Sequence, residues 1–146
     1  MSRDVFCLPG ARIRDVAKGL PRLVRPSDYY PFLHFHVGTN VTARGNLEYF
    51  TSDYRTLGVR VKGMGTQVVF SSILPVRRKG SGRSGLIQWV KTWLCGWCHR
   101  QGFGSYGHGT LFEERGLLSK DGIHLTKWGK SVFANRLANR VRRALK

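Results

Sequence analysis

A chain of 146 residues, 41% hydrophobic and 12% aromatic, has the size and make-up of one globular domain spanning residues 1–146, and excludes a disordered chain. Its net charge of +17 points toward polyanionic partners. No apolar run reaches the roughly 18 residues a membrane span requires, and the opening MSRDVFCLPG lacks the apolar stretch of a secretory signal, so an intracellular location in cytoplasm or nucleus is expected.

Val5–Leu8 is a short apolar run stopped by Pro9-Gly10 and reads as a strand. Ile13, Val16, Leu20 and Leu23 then recur at helical spacing, with Pro21 expected to kink or end that helix. Phe32–Val37 is the next strand, closed by Gly38-Thr39-Asn40. Leu47, Phe50, Tyr54, Leu57 and Val61 mark a second amphipathic helix, which Gly63 and Gly65 end. Gln67–Ile73 is a buried strand, and Pro75 to Ser84 a basic Gly/Ser loop. Ile87, Val90, Leu94 and Trp97 give a third helix, and Phe103–Tyr106 a short strand. Phe133, Leu137, Val141 and Ala144 give the last helix, with Arg136 and Arg143 off its apolar face. Strands that alternate with helices predict a parallel sheet with right-handed crossovers, whose functional loops follow the carboxyl ends of the strands.

Two basic clusters stand out. One is Arg77, Arg78, Lys79 and Arg83; the other runs from Lys127 to Lys146 with seven basic residues, Arg136, Arg140 and Arg143 among them, and no acidic one. Both suit nucleic acid or another anionic partner through counterion release, or else a solvated basic surface. Asp121-Gly122-Ile123-His124 carries a carboxylate three residues before an imidazole. That spacing lets the carboxylate accept the Nδ1 proton and leaves Nε2 as a general base; it is equally the spacing of an ordinary helix-capping loop. Gly38-Thr39-Asn40 offers an amide donor to a developing oxyanion, as does the backbone N–H at Gly10, against the plainer reading of turn chemistry.

Cys7, Cys95 and Cys98 are an odd set that suits a reducing compartment. Cys95-Gly96-Trp97-Cys98 invites zinc with His99 and His108, or redox chemistry, but a single CxxC on an amphipathic helix reads better as packing, so no metal or cofactor is expected. His34 and His36 share a strand face and could pair as ligands, but a structural role is expected of both. Trp89, Trp93 and Trp97 recur every four residues, as helix packing would have them.

LPGARIRDV (Leu8–Val16), HVGTN (His36–Asn40), VVFSSILP (Val68–Pro75) and DGIHLTKWGKSVFANRLA (Asp121–Ala138) together resemble, in family order, the SGNH (GDSL-like) hydrolases, with the flavour of the esterase-like domain of vertebrate LINE-type retrotransposons. The resemblance implies a flavodoxin-like three-layer α/β/α sandwich, a small ester substrate for a full-length form and no cofactor. It also implies Gly10 and Asn40 in the oxyanion hole, and Asp121 and His124 as the triad pair. Two departures accompany it. Val41 stands where the family has Asp. More seriously, no Gly-Asp-Ser turn and no first strand precede Leu8, so no residue matches the serine nucleophile. The expectation is an amino-terminally truncated esterase domain, inactive as it stands, with a weakened first half. The alternative is a non-enzymatic basic module for nucleic acid or other polyanions.

Overall fold

The computed structural model describes residues 6, 11–25, 30–37, 49–71, 81–107, 116–119 and 125–144. Among these residues helices and strands alternate: α1 (Ile13–Leu23), β1 (Phe32–Phe35), α2 (Phe50–Lys62), β2 (Gln67–Ser71), α3 (Ser81–Gln101), β3 (Gly104–Tyr106) and α4 (Lys127–Ala144). The strands lie in the order β1-β2-β3 and every pairing is parallel, with Phe35 opposite Phe70 and Ser71 opposite Tyr106. The parallel α/β class expected from the chain order is the one observed. Of the strand expected at Val5–Leu8 only Phe6 is described, and it is exposed and extends no ladder.

The two-residue pleat of the strands sorts their side chains. Leu33, Phe35, Val68 and Phe70 turn to one face, where the apolar core forms. There Phe70 stacks on Phe35 at 5.2 Å and meets the edges of Tyr54 and Trp97. α2 buries Phe50, Tyr54, Leu57 and Val61, one residue per turn of its inner side. α3 adds Val90, Leu94 and Trp97. The two helices approach closely at Gly58, where a Cβ would stand 2.6 Å from the Trp97 ring. Tyr54 is wholly buried, and its hydroxyl donates to the Val37 carbonyl at 3.0 Å.

α1 lies against α2 through Ile13, Val16, Ala17 and Leu20, and an ion pair from Arg14 to Asp53 at 3.3 Å joins the same two helices. The α1 start is held by Asp15, whose carboxylate accepts from the Arg12 backbone N–H at 2.9 Å. That bond and the Arg12 side chain hold the Asp15 carboxyl below its ordinary range. Pro21 does not end the helix, which runs on to Leu23. A proline cannot donate to the carbonyl four residues back, here Ala17. The Arg60 guanidinium of α2 donates to that carbonyl instead.

α3 begins at Ser81, inside the stretch expected to be loop. The N–H groups of a first helical turn have no intrahelical acceptor, and serine and glycine are favoured residues at a helix start. Cys98 is buried in the core while Cys95 is exposed, and burial pushes the Cys98 thiol up to about 12. A thiol so placed is a small apolar group and a poor nucleophile at neutral pH. Trp97 is buried and stacks on Trp93 at 5.6 Å, whereas Trp89 is 47% exposed.

Candidate functional site

The second face of the sheet differs in kind from the first. Phe32, His34, Val69, Ser71 and Tyr106 alternate onto it, and α4 covers it. The start of α4 is firmly built. Thr126 caps the helix, its Oγ1 accepting the Gly129 N–H at 2.9 Å, and the Thr126 N–H donates to the Leu117 carbonyl at 2.9 Å. Gly129 is buried where a Cβ would lie 2.1 Å from the Leu117 oxygen. Leu117, Leu125, Val132 and Phe133 make a small second cluster. One bridge pairs Leu118 with Leu125.

Beyond Phe133 the contacts turn polar and aromatic. Phe133 meets the His36 ring edge-on at 4.6 Å. His36 Nδ1 lies 2.9 Å from Ser71 Oγ, which also reaches the Phe35 carbonyl at 3.3 Å. Burial pushes the His36 imidazole down to about 4, so the ring is neutral at pH 7. Ser71 is 1% exposed, and a hydroxyl shielded to that degree ties β1 to β2 rather than attacking a substrate. His34 is wedged edge-on between Phe32 at 6.3 Å and Tyr106 at 6.0 Å. Both of its ring nitrogens are buried without a hydrogen-bond partner. Burial first, then the unfavourable coulombic interaction a charged ring would have with His36 and Arg140, push it down to about 4.

Further along α4, Arg136 and Arg140 set their guanidinium groups over the Tyr106 ring, at 5.4 and 6.0 Å from its centre. Beside them an open groove of about 580 Å³ runs between Ser105, Tyr106 and Gly107 on one side and Arg136, Asn139, Arg140 and Arg143 on the other. Arg136 therefore lies on the sheet-facing side of the helix, not off it. Its guanidinium stands over an aromatic ring while the side chain stays part-exposed.

No protein-family model matches the sequence, nor does any curated protein. Among solved structures the chain is similar to the esterase domain of the ZfL2-1 ORF1 protein from the zebrafish ZfL2-1 retrotransposon, at 29% identity and a TM-score of 0.57, over 94% of this chain and 84% of that one. This likeness supports an esterase-like, retrotransposon-derived domain.

Of the residues singled out in the sequence of this esterase-like domain, Arg136, Arg140 and Arg143 come together in the groove. Gly10, Asn40, Asp121, His124, Arg77, Arg78 and Lys79 lie outside the described residues. Among the described residues no three His, Cys, Asp or Glu side chains gather in a metal-binding group, and no helix is long and apolar enough to cross a membrane. Sequence reasoning missed Tyr106, Asn139 and Ser105 as groove residues, and the His36–Ser71 contact. The alternation of His34 and His36 on a strand was the one available signal for the latter. Nothing local to Tyr106 announces arginines that follow it by some thirty positions.

Proposed function

We propose that this domain carries the proton-shuttling and oxyanion parts of an SGNH-type serine-esterase site. His124 acts as general base, Asp121 fixes its tautomer and stabilises the imidazolium, and Gly10 and Asn40 donate to the oxyanion. One observation carries the reading beyond the sequence pattern. Leu125, next to His124, packs with Phe133 against Leu117, and Phe133 in turn touches His36, four residues before Asn40. The described residues Leu125 and His36, close in the chain to His124 and to Asn40, thus both stand close to Phe133, near the carboxyl end of β1, and parallel α/β sheets form their sites at such ends.

In the complete reaction a serine attacks the ester carbonyl and gives its proton to His124 Nε2. The carbonyl oxygen takes the negative charge and is met by the two donors. His124 then protonates the departing alcohol, and water repeats the sequence on the acyl-serine. The 146 residues contain no Gly-Asp-Ser turn, so they are expected to give no turnover by themselves. The test is a short-chain aryl ester assayed on the chain and on a fusion that adds a strand and a Gly-Asp-Ser turn before residue 1. The fusion should gain turnover that His124→Ala lowers by about 10²–10⁴-fold. Turnover by the unfused chain that His124→Ala abolishes would overturn the inactivity. A folded fusion whose rate ignores His124→Ala would overturn the assigned role.

A second reading is favoured by the groove: a non-enzymatic basic module that binds nucleic acid or other polyanions through Arg136, Arg140 and Arg143, with Arg77, Arg78 and Lys79 as a second basic contact. Polyanion binding that weakens steeply with salt and survives His124→Ala is its expected signature.

A further inference from the structure

We infer that the groove between the end of β3 and the C-terminal half of α4 seats the phosphodiester backbone of a single-stranded polynucleotide. The inference rests on the basic-module reading and adds to it a place, a residue set and a form of ligand.

Three arginines line the groove, and no carboxylate does among the described residues. Neutral donors stand between them: the exposed Ser105 hydroxyl and the exposed Asn139 amide. This mixture of forked cations and neutral donors is the chemistry that recognises phosphate oxygens. The arginines are also held in place beforehand. Arg136 and Arg140 both set their guanidinium groups over the Tyr106 ring, which restricts where those charges stand before a ligand arrives. A guanidinium is also a flat group on which an unpaired base can stack, besides being a charge for its phosphate.

Shape selects among the polyanions. At about 580 Å³ the groove has the volume of a small-ligand cleft, and Gly107 at its rim opens onto free space. A single strand lays its backbone into such a concavity, whereas a duplex meets it only at the rim. A membrane surface fits less well still. Helices that lie on bilayers insert an apolar face, and the Phe133 side of α4 is already spent against the sheet.

The test is fluorescence anisotropy of a labelled oligouridylate and of an oligothymidylate against the whole chain over a salt series. Arg143→Glu and Arg55→Glu make the same change of charge on exposed residues, one in the groove and one on α2. Arg143→Glu should weaken binding about tenfold or more and flatten the log–log salt slope by about 0.7 or more. Arg55→Glu should weaken it only a few-fold. Asn139→Asp, a second exposed groove site, should follow Arg143→Glu, and circular dichroism should find both variants as helical as the parent. Equal losses from Arg143→Glu and Arg55→Glu would overturn the groove as the seat and leave the basic-module reading standing. The absence of salt-dependent binding by the parent chain would overturn both. Duplex bound as tightly as single strand, or capture by phosphatidylserine vesicles without oligonucleotide binding, would likewise overturn the inference.

Discussion

His34 is the least satisfied of the described side chains on the sheet. A neutral imidazole has one donor and one acceptor, and here neither finds a partner. Each orphaned group costs on the order of 1–3 kcal/mol, so an apolar ring of similar size should serve better. His34→Phe, placed between Phe32 and Tyr106, is expected to raise the unfolding free energy by about 1–2 kcal/mol. Urea denaturation reads the difference, and a loss of stability would show that the nitrogens have partners after all. Gly129 carries the opposite expectation. Its Cβ position is filled by the Leu117 carbonyl, so Gly129→Ala must push α4 off its seat. A loss of about 1–3 kcal/mol is expected, against a gain of about 0.5–1 kcal/mol for Gly19→Ala, which lies inside α1 with nothing within 4 Å of the added carbon.

At the scale of elements, the Pro21 and Arg60 pair explains how α1 outlasts its proline. Arg60→Ala should cost about 1 kcal/mol by stranding the Ala17 carbonyl. In a Pro21→Ala background, where a backbone N–H returns, the same change should cost much less. Equal losses in the two backgrounds would dissociate the arginine from the proline. Helices α1, α2 and α3 were legible because their apolar residues repeat at helical spacing and the repeats are what the core buries: Ile13, Val16 and Leu20; Phe50, Tyr54, Leu57 and Val61; Val90, Leu94 and Trp97. α4 was legible as a helix but not in its orientation. Hydrophobic periodicity counts arginine as a solvent residue, yet Arg136 and Arg140 face inward onto a tyrosine. The start of α3 was misread because serine and glycine signal a loop, although the same residues are favoured at a helix start. Of the candidate site, the arginines were legible as a charge run, and Asp121, His124, Gly10 and Asn40 as pattern. The groove itself was not, since Ser105 and Tyr106 meet Asn139 and Arg140 only through the fold.

For the molecule as a whole, the sheet has one apolar face and one that holds two uncharged histidines. Both are held near 4 in the fold against about 6.5 in the unfolded chain. The unfolded state therefore takes up protons first as acid is added. Stability from these groups is complete above about pH 6.5 and is lost as pH falls toward about 4, by roughly 3 kcal/mol for each histidine at the limit. Thermal unfolding followed from pH 7.5 to pH 4.5 should show the loss, and His34→Phe should remove about half of it. A flat profile over that range would mean that the rings are already solvated.

The mounting of α4 has one more consequence. Gly129, near its start, is its sole fully buried residue among those whose side chains are described, and the remaining turns lie on the sheet half-covered or bare. A helix anchored at one end and lightly glued along the rest peels from the other end, so the last amides of α4 should exchange with deuterium well before those of α2. Whatever settles between Tyr106 and Arg143 bridges both sides of that seam, and so acts as a clasp: occupancy and helix docking become one equilibrium, each strengthening the other.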